Sequence, residues 1–221
     1  MNVQSQNGVA LLARLDQQTV KAILAGAQKQ EVQAGRILQT AGEPGTHLCV
    51  LRKGRARYFK TTESGDEIML RILAPGDVFG LVTLLARPMS YMVNVDAISD
   101  CNLLVWEYAS VRKFVRAHPQ LTENALRISL RYLKRYTDRH ARLVCGIAKQ
   151  RLAVTLLDLA RRTGLVRPHG VEIDVTNEQL GSLSDISRFT TSRLLKAWQS
   201  QGTLSKARGK IIIHTPEGLT A

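Results

Sequence analysis

The chain has 221 residues, 44% of them hydrophobic, and carries 31 Lys plus Arg against 18 Asp plus Glu, a formal charge of +13. That composition supports a packed core and argues against disorder. No apolar run approaches the roughly 18 residues of a membrane-crossing helix, and the polar start, 1–7, lacks the basic and apolar regions of a signal peptide. Cys49, Cys101 and Cys145 are widely spaced and form no CxxC pair, which fits a reducing cytoplasm and no disulfide framework.

In chain order, 8–30 reads as helical, with Leu11, Leu12, Leu15, Val20, Ile23 and Leu24 on one side. From 31 to about 107 the period shortens. Short apolar stretches, such as Leu48 to Leu51, Ile68 to Leu73 and Leu103 to Trp106, are broken by Ala34-Gly35, Gly42 to Gly45, Lys53-Gly54, Glu63 to Asp66 and Pro75-Gly76-Asp77. Many short strands with regular turns predict an antiparallel sandwich or barrel. From Ser110 the pattern is helical to about Thr163, with Pro119 starting a new helix. Leu126, Leu130, Leu133, Thr137, His140, Val144 and Ile147 recur at steps of four and three. Ile128, Tyr132, Tyr136 and Leu143 widen that apolar face, which suits a two-stranded dimer seam. Cys145 and Gly146 interrupt the helix and form a candidate hinge. A second amphipathic helix runs from Leu152 to Arg162, followed by an exposed-looking loop over 164–170.

The sharpest signal lies in 171–213. Val171 to Val175 alternates like a strand. Thr176-Asn177-Glu178-Gln179 is a capping box for a short helix containing Leu180 and Leu183. Asp185-Ile186 forms the turn, and Ser187 caps a second helix running to about Gln201, stopped by Gly202. Leu204 to Ile213, with Arg208-Gly209-Lys210 between, reads as a hairpin with a basic tip. Helix, turn, helix and hairpin make a winged helix-turn-helix. Its second helix offers Arg188, Phe189, Thr191, Ser192 and Arg193 to base edges, with Arg193 the leading reader through the guanine O6/N7 pair. Ser187, Lys196, Arg208 and Lys210 complete the set contacting double-stranded DNA.

The charge follows the same division. Residues 1–109 hold 11 basic and 10 acidic side chains, 110–138 hold 7 and 2, and 139–221 hold 13 and 6. The excess therefore lies in the second half, where a polyanionic partner would bind.

At this point the sequence resembles the catabolite activator/FNR (CRP/FNR) family of bacterial transcription regulators. The resemblance covers nearly the whole chain. It rests on Gly42-Glu43-Pro44-Gly45, Leu48 to Gly54, Gly65 to Leu70, Pro75-Gly76-Asp77-Val78-Phe79-Gly80 and the reading helix Ile186 to Leu195. It implies an α+β chain in three parts. These are a cyclic-nucleotide-binding-like β-roll (a double-stranded β-helix) over 1–109, a dimerisation helix and hinge over 110–146, and a winged helix-turn-helix over 147–221. It also implies a homodimer, a small-molecule effector, and contact with RNA polymerase through the 164–170 loop. The effector pocket carried over comprises Phe79, Gly80, Leu81, Arg87, Tyr91, Tyr136 and Thr137.

Departures from the family sharpen the reading. Cyclic-AMP-binding members carry a Glu soon after the Gly80 step and an Arg-Ser pair further on. Here Leu81-Val82 follows Gly80, and Arg87 precedes Pro88, which counts against cyclic AMP. Three scattered cysteines count against an iron–sulfur cluster. His47 and Cys49 are the candidate ligands for a haem or other metal. Many members have Glu where Phe189 stands and Gly where Asp185 stands. Two other readings remain. One is a cupin-like metal enzyme, although the first half holds one His and no HxH, GxSxG or HExxH motif occurs. The other is a regulator of the same family that has no effector.

Overall fold

The computed structural model describes residues 9–87, 89–207 and 209–220, and the backbone alone of 142–145. The chain forms two compact units, 1–134 and 135–221.

The first unit opens with a 3-10 turn, Ala10–Leu12, and then α1, Gln17–Ala25. The single helix expected over 8–30 is therefore divided. Arg14 takes a positive φ of 64°. Asp16 starts α1 afresh by accepting from the Thr19 N–H at 2.8 Å and the Thr19 hydroxyl at 2.6 Å. Gly26 ends α1, and Gln28 opens a strand.

The strands are β1 Gln28–Val32, β2 Ile37–Gln39, β3 His47–Lys53, β4 Ala56–Thr61, β5 Glu67–Leu73, β6 Val78–Phe79, β7 Asn94–Ala97 and β8 Cys101–Glu107. They build two antiparallel four-stranded sheets, ordered β1-β8-β3-β6 and β2-β7-β4-β5. The interior cluster of this β-roll includes Leu51, Ala56, Tyr58, Leu73, Phe79 and Val95. A second cluster joins Leu48, Val50 and Trp106 to α1 and to the helices that follow. Each fully buried Leu, Val or Phe contributes roughly 1.5–3 kcal/mol.

Three helices follow: α2 Tyr108–Ala117, α3 Gln120–Cys145 and α4 Ala148–Thr163. The 26 residues of α3 give a rod of about 40 Å. Its apolar residues do not form one wide face. Leu121, Ala125, Ile128 and Tyr132 pack into the first unit's cores. Leu126, Leu130 and Leu133 are more than half exposed and lie roughly 140° around the helix from the first set. Asn124, buried at this face, donates through Nδ2 to the Leu11 and Ala13 carbonyls at 2.8 and 2.7 Å. That pins the N-terminal segment to α3. The helix breaks at Gly146-Ile147, which includes Gly146 of the candidate hinge pair. The side chain of Cys145 lies outside the described residues.

The second unit adds β9 Leu165–Arg167, β10 Gly170–Asp174, α5 Asn177–Ser184, α6 Arg188–Ser200, β11 Leu204–Ala207 and β12 Lys210–Ile213. The sheet order is β11-β12-β10-β9. The loop expected over 164–170 is thus a hairpin, with Val166 opposite Val171. All three residues of β9 are exposed at the sheet edge, so no burial alternation marks it as a strand. Leu152, Leu156, Leu180, Leu195, Trp198, Ile211 and Ile213 are buried in this unit. Among the described residues no helix is long and apolar enough to cross a membrane.

Candidate nucleic-acid interface and sensor interior

Thr176 and Gln179 close the capping box as expected. The Thr176 hydroxyl accepts from the Gln179 N–H at 3.2 Å, and the Gln179 side chain accepts from the Thr176 N–H at 2.9 Å. At Gly181 a Cβ would fall 2.9 Å from the Ile186 carbonyl oxygen, so the small residue lets the start of α6 approach α5. Asp185 ends α5 in the left-handed conformation, φ 53° and ψ 49°. Ser187 then caps α6, accepting from the Thr190 N–H at 3.1 Å.

On α6, Arg188, Phe189, Ser192, Arg193 and Lys196 are all exposed and fall within an arc of about 140°. Phe189 is 85% exposed, an apolar ring turned to water. Thr191 is a correction. It is fully buried, and its hydroxyl donates to the Ser187 carbonyl at 3.0 Å. It braces the helix start and cannot reach a base, because it sits on the side that also buries Leu195 and Trp198. Lys210 is exposed and paired with Glu172 of β10 at 3.0 Å, an ion pair that water screens and a phosphate can displace at little cost. Glu172 also lies 3.5 Å from Arg167. The hydrogen bond from Lys210 comes first among the interactions that hold the Glu172 carboxyl below its ordinary value. Arg208 lies outside the described residues. Lys206, exposed on β11, adds a further basic group to the wing, and its charge next to the basic tip is the sequence signal for it.

Two arginines missed in the sequence grip the turn. Arg139 of α3 donates to Asp185 through Nε at 2.8 Å and Nη2 at 2.6 Å, and to the Ser182 carbonyl at 3.0 Å. Arg151 of α4 donates to the Ser184, Asp185 and Gly146 carbonyls at 3.1, 3.2 and 3.0 Å. No spacing rule links positions 46 residues apart.

In the first unit the expected pocket residues separate. Phe79 lies in the roll interior, whereas Leu81 packs against the other cluster. Gly80, at φ 78°, begins the 3-10 turn Leu81–Leu84. A Cβ there would stand 2.2 Å from the His47 carbonyl oxygen, so only glycine fits. Arg87 is exposed. Tyr91 is a second correction. Its hydroxyl accepts from the Thr46 and His47 N–H groups at 3.1 and 2.9 Å and donates to the His47 carbonyl at 3.2 Å. Those bonds use the donor and both acceptor sites of a phenol, so the ring braces β3 and has no hydrogen-bonding capacity for a ligand. Tyr136 and Thr137 lie on α3 within the second unit.

The interior holds an unforeseen cation. Arg71 of β5 is buried, ion-paired with Asp77, and set 4.2 Å from the ring centroid of Tyr132. Among the described residues its Nε and Nη1 donors find no hydrogen-bond partner. A lone charge inside the apolar run Ile68 to Leu73 was the available signal.

His47 and Cys49, the candidate ligands for a haem or other metal, lie in different surroundings. His47 is exposed with Nδ1 on the Thr46 hydroxyl at 2.9 Å, whereas Cys49 is buried in the interior cluster. Burial pushes the Cys49 thiol up to about 12 and also raises Cys101. Burial thus disfavours the thiolate form of both. Among the described residues no group of three or more His, Cys, Asp or Glu side chains converges for a metal.

Comparison with known proteins agrees with this geometry. Residues 29–118 match the cyclic nucleotide-binding domain, and 150–221 match the Crp-like helix-turn-helix domain. The chain is 24% identical over 202 residues to the CRP-like cAMP-activated global transcriptional regulator of Mycobacterium tuberculosis, covering 90% of each. It is 29% identical over 174 residues to the cAMP-activated global transcriptional regulator CRP of Pasteurella multocida, covering 78% of this chain and 83% of that one. Among solved structures, FixK2 from Bradyrhizobium japonicum has a TM-score of 0.77 at 22% identity, covering 88% of this chain and 96% of that chain. The c-di-GMP-responsive regulator CLP of Xanthomonas campestris has a TM-score of 0.76 at 20% identity, covering 90% and 99%. A β-roll sensor followed by a helix-turn-helix defines a DNA-binding transcription regulator. Within that class, the chain belongs to the CRP/FNR family.

Proposed function

We propose that the protein acts in the cytoplasm as a homodimer, placing two copies of α6 in successive major grooves of a near-palindromic operator under control of a small molecule taken into the β-roll. The observation that carries the dimer is the outward stripe of α3. Leu126, Leu130 and Leu133 stand exposed at steps of four and three on a helix whose other face is already committed to the core. Such a stripe suits a knobs-into-holes seam with a second copy. Half-sites then lie about one helical turn apart. In this reading 1–109 senses, 110–146 joins the two copies and 147–221 binds DNA.

On α6, Arg193 reads guanine and Phe189 touches a thymine methyl. Arg188, Ser187, Ser192 and Lys196, with the wing residues Arg208 and Lys210, hold phosphates. The exposed β9–β10 hairpin is the surface offered to RNA polymerase.

Relatives are named for activation by cAMP, but this chain takes a different effector. Leu81 stands where the nucleotide cassette needs a carboxylate and is packed into the other core. Arg71 instead offers two unfilled donors beside an aromatic ring, which suits a small molecule with oxygen acceptors and an apolar body. Selection of bound sequences from a random duplex pool, with and without a metabolite extract, tests the reading. Recovery of a two-fold motif is expected, sharpened by the extract and not by cAMP alone. A motif without two-fold symmetry would overturn the dimeric operator.

A further inference from the structure

We propose that Arg139 is the positioning residue of the DNA-reading helix: from α3 it reaches past the Gly146 break and latches Asp185, the left-handed residue of the turn. The inference rests on α6 being the helix that reads DNA. Four observations carry it. The guanidinium meets the carboxylate through two parallel bonds, 2.8 and 2.6 Å, the fork geometry that fixes direction as well as distance. The same group holds the Ser182 carbonyl at the end of α5. Both partners are largely shielded, with side chains 17% and 28% exposed. Asp185 also occupies a backbone conformation that glycine takes freely and other residues adopt reluctantly.

The arrangement has a direct mechanical meaning. Asp185 lies two residues before the Ser187 cap and three before Arg188, the first residue of α6. A displaced turn therefore displaces every exposed residue at the reading end. Arg151 holds the turn's carbonyl oxygens from α4, on the near side of the break. Arg139 alone among the described residues is seen gripping the Asp185 carboxylate from α3, the helix that carries the outward leucine stripe. Motion of α3 is thus transmitted to the turn by a charge-assisted fork and not only through the Gly146-Ile147 linker.

A glycine in place of Asp185 would form the turn unaided and remove the carboxylate that Arg139 grips, which supplies the test. A labelled duplex selected by the wild-type protein and an unrelated duplex of equal length are titrated by fluorescence anisotropy at fixed salt. The proteins are wild type, Arg139→Ala, Arg139→Lys, Asp185→Gly and Arg139→Ala with Asp185→Gly. Thermal unfolding is followed for each.

Arg139→Ala is expected to weaken the selected duplex about tenfold to a hundredfold, through loss of a shielded charged pair, and the unrelated duplex by less than about threefold. Arg139→Lys, which keeps the charge and loses the fork, falls between. Asp185→Gly removes the same fork but frees the turn from an unfavourable backbone conformation, so it weakens the selected duplex by no more than Arg139→Ala does, and adding Arg139→Ala to it costs about threefold or less. Equal losses in the Asp185 and Asp185→Gly backgrounds would overturn the latch and make Arg139 a direct DNA contact. A fall in melting temperature with the ratio of selected to unrelated binding unchanged would make it merely structural. Should Arg139→Ala not fold, Arg139→Lys in the two backgrounds gives the same decision. A wild-type protein that selects no duplex overturns the DNA-reading premise itself.

Discussion

Phe189 shows how one residue departs from the relatives while the scaffold around it holds. A Glu at this place, as the family resemblance implies for many members, would accept from cytosine, whereas a ring with 85% of its surface in water can meet only an apolar group in the groove. Phe189→Glu should move the preferred base pair at one position of each half-site from A·T towards G·C, read by selection from random duplexes. Arg193→Ala should remove about 1–3 kcal/mol of discrimination at one position and leave the rest of the motif intact. Arg71 poses the opposite case, a polar residue inside the apolar interior. Removing its guanidinium takes away the buried counter-ion of the Asp77 carboxylate, which also accepts from the Ala74 N–H at 2.9 Å. Arg71→Met should therefore destabilise the first unit by about 2 kcal/mol or more, while Arg71→Met with Asp77→Asn recovers much of the loss. Chemical denaturation reports both. The same single change should abolish any response of DNA binding to metabolites.

Elements were legible in the sequence where one physical signal dominated and hidden where two competed. The capping box at Thr176 and the Ser187 cap predict α5 and α6 almost to the residue, because a local hydrogen bond defines each start. β1 and β9 escaped because edge strands expose nearly every side chain and so lack the period-two pattern of burial. The two faces of α3 were merged for a related reason. Apolar spacing reports that a side chain is buried, not whether this chain or a partner buries it. Tyr91 and Thr191 looked functional by position, and only the geometry reveals that their hydroxyls are spent on backbone. In the wing sheet, the bonds from Lys210 and then Arg167 hold the Glu172 carboxyl below its ordinary 4.5. A lowered folded value means that Glu172 contributes stability above about pH 4.5, and that this is lost as the pH falls through the lowered value. Melting curves of wild type and Glu172→Gln should thus differ near neutrality and converge in acid.

For the whole molecule, the uneven charge decides how binding responds to its surroundings. Residues 1–109 are nearly neutral, and the basic excess lies beyond them. Specific and non-specific affinity should both fall steeply with salt, with a logarithmic slope of about −0.9 for each phosphate neutralised. Lys206→Ala should flatten the slope by about one unit without altering the selected motif.

The outward leucines of α3 carry a consequence for abundance. A chain that covers Leu126, Leu130 and Leu133 only by meeting its like gains stability by mass action, so its own concentration sets how much of it is folded and competent. Its melting temperature should climb when the protein is concentrated, and Leu130→Glu should remove the climb. Gene dosage then becomes an input beside any metabolite. In the proposed dimer, halving synthesis would lower the active population more than twofold, because pairing depends on the square of monomer number.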